Sequence, residues 1–387
     1  MNLKHWLQTR LSTWKKRLAR LRFKFGIFLA LHVPAPRKSG QNRWVIYKPD
    51  ALGDFVLATS AISEFLRLVD CRAVLITSTT VFPFAKGQFP QVEVVALDAA
   101  TSISPGGWLR SLKSGWLLAS RYAGCNLISL RHGLSDVDNI VLQWLQPRES
   151  HGIPSPLIAP PRISRRCPFT FSFALDYPLL DSHLPGEILA HREVVNSAAR
   201  MRIPGANFFP KLPRLPQNFK KTDYLLVFPV TRSSLRNYPL HLLAESISTV
   251  SRQDGIRIRL CGNEAEKEHL LELKNMLAPE IDADIQRPSS VDDLCRLILE
   301  SRCVLSMESA PAHLAICMGV PGVFILGGGH YGHFAPWGDE KTHIWIAHPL
   351  PCFNCNWQCR FPEPQCITRI QPLAISKALL ELLALKG

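Results

Sequence analysis

The residues whose types and spacing best suit chemistry lie in the stretch 303–329, where apolar runs alternate with polar and glycine-rich turns. Glu308, Ser309 and Ala310 follow a predicted buried strand, and the helix that begins there carries His313 in its first turn. Backbone N–H groups and the positive end of a helix dipole bind anions, most often phosphate. The imidazole could reach the same phosphate, although a strand and helix that merely pack together would give a similar pattern.

A second candidate group lies in the loop from Lys48 to Asp54, after the first predicted strand. Gly53 would allow another segment or a ligand to come close, because it has no side chain. Asp54 stands at the start of a predicted helix, where an aspartate either caps the helix or faces a ligand as a general base. The residue pattern leaves both interpretations open.

Two further groups follow predicted strands in the second half of the chain. The segment 229–239 contains Thr231 and Arg236, and its hydroxyls and cations suit either an anionic ligand or an ordinary solvated loop. Glu266 comes shortly after a strand that ends at Cys261. A carboxylate in that position can accept hydrogen bonds from ribose hydroxyls, and a solvated helix start explains it equally well.

The elements that must position these residues alternate between strand and helix, which is typical of doubly wound parallel sheets. In the first half the predicted strands are 44–47, 73–77, 92–97 and 126–130, with helices at 54–69, 108–122 and 137–145. In the second half the strands are 224–228, 256–261, 303–305 and 323–326, with helices at 240–252, 265–277, 291–301 and 312–318. The sequence therefore predicts an α/β fold with two Rossmann-like domains facing a central cleft.

The predicted domain organisation has five parts. We place a basic helix and linker at 1–40, an N-terminal domain at 41–203, a linker at 204–222, a C-terminal domain at 223–371 and a final helix at 372–387. Repeated prolines between His151 and Pro216 interrupt the regular pattern, apart from a helix at 187–201, and indicate the connection between the domains.

The positive charge of the chain is concentrated at its N-terminal end. The formal net charge is +14, and residues 1–49 contain twelve Lys and Arg residues and no acid. A nucleic-acid enzyme would more often spread its basic residues over the folded body, so we expect no nucleic-acid partner.

The same segment has a helical apolar pattern, with steps of three and four between its apolar residues. These are Leu3, Leu7, Leu11, Trp14, Leu18, Leu21, Phe25 and Phe28. The pattern predicts a basic amphipathic helix, which suits an anionic membrane surface. A targeting presequence and a helix that docks on the protein's own body are the alternatives.

Four of the eleven cysteines, Cys352, Cys355, Cys359 and Cys366, form a cluster. Their spacing permits a structural zinc site with four thiolate ligands, whereas disulfides or free thiols are the alternatives. The odd total and the absence of a cleavable signal peptide favour a reducing compartment.

Several segments resemble those of the heptosyltransferase-type glycosyltransferases, the family of lipopolysaccharide core heptosyltransferases (glycosyltransferase family 9). They are KPDALGDFVLATSAI at 48–62, NLISLRHG at 126–133, SLRNYP at 234–239, CGNEAE at 261–266 and ESAPAHLA at 308–315. The resemblance implies a GT-B fold and metal-independent, inverting transfer of a sugar, typically from ADP-heptose. The acceptor would be a lipid-linked saccharide on the cytoplasmic face of the inner membrane.

The resemblance also implies roles for individual residues. Asp54 would be the general base, Thr231 and Arg236 would hold the donor's phosphates, and Glu266 would bind the ribose. Glu308, Ser309, Ala310 and His313 would surround the diphosphate and the transferred sugar, with Lys48, Gly53 and Arg131 on the acceptor side.

The chain departs from the family pattern at four of these positions or beside them. Glu308 stands where Asp is usual, Ala310 where Gly is usual, Arg236 where Lys is usual, and Tyr238 where Trp is usual. These changes leave the donor sugar open. A nucleotide-sugar-binding protein without transferase activity and a nucleotide-sugar epimerase are the alternative functions.

Overall fold

The computed structural model describes residues 25–37, 43–69, 73–98, 107–131, 133–153, 169–175 and 185–385. The chain divides into two compact units. The first takes residues up to Ala51, Ala61–Tyr177 and Ala190–Asn207, and the second takes Leu52–Ser60, Pro178–Leu189 and Phe208–Gly387. Each unit contains one parallel sheet of six strands with helices beside it, which confirms the predicted α/β fold class.

The sheet of the first unit has the strand order β3-β2-β1-β4-β5-β6. Its strands are β1 (Trp44–Lys48), β2 (Ala73–Ser78), β3 (Glu93–Leu97), β4 (Asn126–Ser129), β5 (Glu149–Gly152) and β6 (Phe173–Ala174). The helices of this part of the chain are α1 (described over 25–31), α2 (Leu52–Leu68), α3 (Phe82–Gln88), α4 (Gly107–Tyr122), α5 (Asp136–Leu145) and α6 (Gly186–Ala199).

The sheet of the second unit has the order β12-β11-β10-β7-β8-β9. Its strands are β7 (Tyr224–Phe228), β8 (Arg257–Cys261), β9 (Ala283–Gln286), β10 (Cys303–Met307), β11 (Gly322–Ile325) and β12 (His343–Ile346). Its helices are α7 (Leu240–Asp254), α8 (Lys267–Met276), α9 (Val291–Glu300), α10 (Ala310–Cys317), α11 (Gln365–Thr368) and α12 (Pro372–Ala384).

Both sheets follow the Rossmann order, in which the direction of winding reverses between the first and fourth strands. The reversal falls between β1 and β4 in the first unit and between β7 and β10 in the second. Doubly wound sheets bind ligands beyond the carboxyl ends of the strands at this point. Ligand-binding residues are therefore expected in the loops after β1, β4, β7 and β10.

The central strands are apolar because both of their faces are covered. In β7 and β10 every residue is buried. Local signals fix several helix ends: Ser135 and Asp138 form a capping box at the start of α5, and Gly255 ends α7 in a left-handed conformation. The loops that carry the polar residues are therefore attached to buried strands and to helices with well-defined ends.

The interpretation of residues 151–216 as a connection between domains is wrong for its first part. Glu149–Gly152 and Phe173–Ala174 are strands of the first sheet, where they pair in parallel at one edge. Both are short and contain polar or isolated apolar residues, so they lack the apolar run that identifies a buried strand. β6 is the edge strand, and edge strands are commonly short.

The predicted N-terminal amphipathic helix lies mostly outside the described residues and stays a prediction. Residues 25–31 are helical, with Ile27 and Ala30 buried in the core of the first unit. Phe25 and Phe28, which belong to the predicted apolar face, are 62% and 54% exposed. Within the described residues, no helix combines the length and apolar composition needed to cross a bilayer.

Candidate active site

Three side chains of the second unit meet beyond the ends of β7 and β10: Arg236, Glu308 and His313. Arg236 Nη1 lies 3.2 Å from Glu308 Oε2, and His313 Nε2 lies 3.6 Å from Glu308 Oε1. Glu308 and His313 are buried, whereas Arg236 is half-buried. The sequence predicted all three as ligand-binding residues, and the structure brings them together.

Glu308 is held in its ionised form by these neighbours. Burial by itself raises the pKa of a carboxyl group, but the neighbouring His313, Arg236 and His330 side chains outweigh that effect. The pKa of Glu308 therefore lies below its ordinary value. Arg236 has five N–H donors and uses one on Glu308, so its guanidinium has donors left for an anionic ligand.

His313 is fixed from its other side by a tryptophan. Trp337 Nε1 donates a hydrogen bond to His313 Nδ1 at 3.0 Å, and both side chains are buried. Trp345 Nε1 in turn donates to the carbonyl oxygen of Trp337 at 2.8 Å. The imidazole that faces Glu308 is thus part of a fixed chain of hydrogen bonds.

Ser309 and Ala310 form the turn that begins α10. The Ser309 hydroxyl donates to the carbonyl oxygen of Met307 at 3.1 Å instead of capping the helix. The start of α10 follows Glu308 in the chain, so the positive end of the helix dipole lies beside the Arg236–Glu308 pair. This combination of a helix start and a guanidinium is suited to a phosphate or diphosphate.

Within the second unit, to which residues 52–60 belong, the first turn of α2 approaches the first turn of α10. A Cβ atom added to Gly53 would lie 3.4 Å from the Ala310 nitrogen and 3.4 Å from His313 Cδ2. Asp54 is the next residue and is half-buried. The predicted base is therefore one residue from the contact between the two helix starts.

Thr231 shapes the loop after β7. Its backbone N–H donates to Asn237 Oδ1 at 2.7 Å, and its hydroxyl donates to the carbonyl oxygen of Ser233 at 2.9 Å. These bonds fold the loop that presents Arg236. The hydroxyl would have to turn before it could donate to a ligand.

Glu266 forms a local cap after β8. Its Oε2 accepts a hydrogen bond from the backbone N–H of Asn263 at 2.8 Å, within a capping box. A Cβ atom at Gly262 would lie 2.8 Å from the same oxygen, so the glycine makes room for this carboxylate. Glu266 follows the second strand of its sheet, the position from which Rossmann domains bind ribose.

In the first unit, Lys48 is fully buried at the end of β1. Its ammonium lies 3.1 Å from Asp50 Oδ2 and donates to the carbonyl oxygen of Leu130 at 2.6 Å. A buried ammonium with these partners ties the loop after β1 to the loop after β4. Lys48 therefore positions the loop and does not present its charge to solvent.

Arg131 makes a second set of bonds between the same loops. Its Nε lies 3.0 Å from Asp138 Oδ2, and its Nη1 donates to the carbonyl oxygen of Pro49 at 2.9 Å. Tyr47 donates to Asp138 Oδ1 at 2.7 Å. The side chain of Arg131 is 11% exposed, so this network also mainly fixes the backbone of the two loops that it joins.

The four clustered cysteines line one cavity beside the glycine turn after β11. Gly328 N donates to Cys366 Sγ at 3.3 Å, and burial raises the pKa of the Cys366 thiol. The thiols of Cys352, Cys355 and Cys359 raise it further. Over the described part of the chain, however, no set of three or more His, Cys, Asp or Glu residues is arranged to hold a metal ion.

Sequence reasoning missed Trp337, His330, Asp50 and Asp138. Trp337 and His330 follow β11, and no spacing in the sequence shows that Trp337 bonds to His313 or that His330 lowers the pKa of Glu308. Asp138 has an ordinary helix-capping pattern with Ser135, so the sequence gives no reason to expect its second bond, to Arg131. These partners come from separate elements, so only the folded chain reveals them.

Solved structures with this fold include several glycosyltransferases. The chain matches a glycosyltransferase family 9 protein of Veillonella parvula with a TM-score of 0.65 and 11% identity, over 90% of this chain and 99% of that chain. It matches the E. coli heptosyltransferase WaaC with ADP-2-deoxy-2-fluoro heptose at 0.61 and 16%, over 88% and 99%. It matches E. coli ADP-heptose lipopolysaccharide heptosyltransferase II at 0.61 and 15%, over 88% and 98%. The fold is therefore that of the GT-B glycosyltransferases.

A comparison of the sequence with protein-family models identifies the family within the GT-B glycosyltransferases. The family model of glycosyltransferase family 9 (heptosyltransferase) matches residues 129–361, which is more than half of the chain. The chain belongs to this family and is a glycosyltransferase. No sequence among the curated proteins matches it significantly.

Proposed function

We propose that this glycosyltransferase transfers a heptose from ADP-heptose, with inversion, to a lipid-linked saccharide in lipopolysaccharide or related glycan synthesis. The observation that carries the proposal is the Arg236–Glu308–His313 group at the winding reversal of the second sheet. It offers a guanidinium, an imidazole and a helix start to one anionic ligand. The diphosphate of a nucleotide sugar has the matching charge and size.

The donor would be held by three parts of the second unit. Its diphosphate would lie against Arg236 and the first turn of α10, and its ribose would bind to Glu266 after β8. Glu266 would exchange its bond to Asn263 N for ribose hydroxyls or accept from both, since a carboxylate has several acceptor sites. Glu308 would face the transferred sugar.

In the reaction, the Asp54 carboxylate would take the proton of an acceptor hydroxyl. The acceptor oxygen would then bond to the anomeric carbon of the sugar while the bond from that carbon to the diphosphate oxygen breaks. ADP leaves with that electron pair, and Arg236 with the start of α10 stabilises the developing charge. Because these groups supply positive charge, we propose that no metal ion is obligatory for transfer.

Replacement of Asp54 by Asn tests the assignment of the base. We expect Asp54→Asn to reduce kcat by at least about 100-fold, the lower range of general-base contributions, because the amide cannot take the proton. The affinity for ADP-heptose, measured by calorimetry, should stay within about twofold because the amide keeps the shape of the carboxylate.

Asp282→Asn is the matched control, since Asp282 is an exposed carboxylate in a surface pair with Arg257. It should leave both measurements unchanged. Full turnover by Asp54→Asn would show that another group is the base, and a stimulation of the wild-type enzyme by added Mg²⁺ would contradict metal independence.

We also propose that the protein acts at the cytoplasmic face of the inner membrane, where it would meet a lipid-linked acceptor. Residues 1–40 contain ten Lys and Arg residues and no acid, which favours an anionic lipid surface. The exposed Phe25, Phe28 and Leu29 on the helical segment 25–31 add apolar groups on its outer side.

Finally, we propose that Cys352, Cys355, Cys359 and Cys366 bind a structural zinc ion. Their shared cavity and the N–H to sulfur bond from Gly328 support a site that closes when metal is present. Elemental analysis of protein purified without added metal should find about one zinc per chain, and Cys355→Ser should lose it and melt at a lower temperature.

Cys261→Ser is the control, because Cys261 is a buried free thiol in β8 outside the cluster. It should retain the metal. Wild-type protein without zinc would refute the assignment, and a different stoichiometric metal would confirm the thiolate site while correcting the ion.

A further inference from the structure

Trp337 makes a hydrogen bond that determines where His313 carries its proton. The indole N–H of tryptophan is a donor only, so the ring nitrogen that it meets has to be an acceptor. That nitrogen is Nδ1 of His313, at 3.0 Å from Trp337 Nε1. A neutral imidazole with Nδ1 as acceptor has its proton on Nε2.

The arrangement of the two rings supports a real bond at this place. Their planes differ by 19° and their centroids are 5.9 Å apart, so the two rings are nearly parallel to each other. The distance of 3.0 Å from the indole nitrogen to Nδ1 is ordinary for a hydrogen bond. The bond from Trp345 to the Trp337 carbonyl fixes the neighbouring backbone.

The opposite orientation of the imidazole fits the surroundings less well. A half-turn of the ring would exchange Nδ1 with Cδ2 and Nε2 with Cε1. Trp337 would then face a carbon, and Glu308 Oε1 would lose its nitrogen neighbour at 3.6 Å. The observed orientation satisfies the indole N–H and directs Nε2 toward the carboxylate.

We propose that Trp337 is a positioning residue that keeps His313 in the tautomer with the proton on Nε2. His313 is then a hydrogen-bond donor in the donor site and not a proton acceptor. With the ligand absent its donor direction is toward Glu308, and in the reaction it is toward an oxygen of the sugar or of the leaving diphosphate. The part that His313 plays in the reaction rests on the proposed function, whereas its tautomer does not.

The tautomer can be read directly from the wild-type protein. Long-range ¹H–¹⁵N correlation spectra of ¹⁵N-labelled protein, recorded at about pH 8, distinguish a protonated from an unprotonated ring nitrogen in neutral histidine. His313→Gln identifies the signals by their disappearance. We expect protonated Nε2 and unprotonated Nδ1, and the reverse assignment would overturn the proposal whether or not the protein transfers heptose.

Trp337→Phe tests the cause of the preference. Phenylalanine keeps a flat apolar ring and removes the N–H, so His313 should show a mixture of tautomers. The kcat/KM for ADP-heptose should fall about tenfold, which is the loss of about one hydrogen bond. A spectrum of Trp337→Phe identical to that of the wild type would refute the role of the indole.

Trp144→Phe is the matched control, since Trp144 is a buried tryptophan in α5, away from these contacts. It should leave the His313 signals unchanged and kcat/KM within about twofold. Equal losses in the two variants would show that Trp337 acts only through stability and would overturn the kinetic consequence. If no heptose transfer is detected at all, the spectra still decide the tautomer.

Discussion

At the scale of single residues, two departures from the family pattern are physically linked. Glu308 stands in place of the usual Asp, Arg236 stands in place of the usual Lys, and the two side chains pair at 3.2 Å. A guanidinium presents several N–H groups in a fixed plane and forms better-directed bonds to a carboxylate than an ammonium does. Glu308 and Arg236 therefore form one well-directed ion pair beside the predicted sugar site.

Glu308 also leads to a prediction about stability and pH. Because the pKa of Glu308 is lowered in the folded protein, its charged form stabilises the fold above its ordinary pKa range. That contribution disappears as the pH falls through the lowered pKa. We expect Glu308→Gln to reduce the free energy of unfolding by about 1–3 kcal/mol near pH 7, measured by urea denaturation, with the difference from wild type shrinking only as the pH falls below about 4.5.

Glu264→Gln is the control for this experiment, since the side chain of Glu264 is 74% exposed and pairs with Arg287 on the surface. It should change the free energy of unfolding by less than about 0.5 kcal/mol. A Glu308→Gln protein as stable as wild type at neutral pH would show that the buried ion pair contributes no net stability.

Tyr238 shows how a departure can concern packing instead of the ligand. Its side chain is buried in the core of the second unit, and its hydroxyl donates to the carbonyl oxygen of Ile370 at 2.8 Å, just before α12. The sequence placed this residue beside Arg236 and so suggested a change in the donor site. The structure assigns it to the support of the final helix.

At the scale of elements, the sequence predicted the central strands of both sheets well. β7 has the bounds that the sequence predicts. β1, β2 and β10 begin at the predicted residue and end one or two residues later than predicted. These strands are buried on both faces, so burial imposes an apolar run. β9 and β12 were missed because they lie at sheet edges, where residues are only partly buried and the pattern is mixed.

The approach of α2 to α10 leads to a prediction about Gly53. A methyl group would lie 3.4 Å from Ala310 N, which is an ordinary contact distance, so alanine fits without displacing its neighbours. Alanine also favours the helix, by up to about 1 kcal/mol. We expect Gly53→Ala to melt no lower than wild type and to bind ADP about tenfold more weakly, because the methyl group covers the helix start.

The control for Gly53→Ala is Gly87→Ala in α3, since nothing lies within 4 Å of an added Cβ atom there. It should bind ADP as the wild type does, with an equal or higher melting temperature. Unchanged ADP affinity in Gly53→Ala, measured by calorimetry, would place the diphosphate elsewhere.

At the scale of the whole molecule, the sequence predicted which loops form the candidate site but not which side chains in them are partners. Strand ends are visible in a sequence, and the Rossmann order collects those of β7 and β10 at one edge. Which side chains are partners is decided by elements far apart in the chain, as with Trp337 and His313 or Arg131 and Asp138. Lys48 is fully buried in the same way, and its role in binding the acceptor stays a prediction.

The distribution of charge and apolar surface over the molecule predicts binding to an anionic membrane. The structure shows which residues can be changed to test this binding without disturbing the core. Deletion of residues 1–36 would also remove Ile27 and Ala30, which are buried in the core of the first unit. Loss of vesicle binding by such a truncation would therefore not distinguish unfolding from lost membrane contact. Substitution of the exposed Phe25 and Leu29 by Ser leaves the core intact and removes only outward apolar groups.

We expect the Phe25→Ser/Leu29→Ser protein to bind vesicles that contain phosphatidylglycerol at least about tenfold more weakly than wild type, because inserted Phe and Leu side chains each contribute on the order of 1 kcal/mol or more. Sedimentation with vesicles measures this, and binding of both proteins should fall at high salt because the cations act through a screened potential. Leu271→Ser, at a comparably exposed leucine of α8, should bind as the wild type does. Equal binding by the double variant would leave residues 1–24 as the part that meets the lipid, and salt-independent binding would contradict the electrostatic part of the proposal.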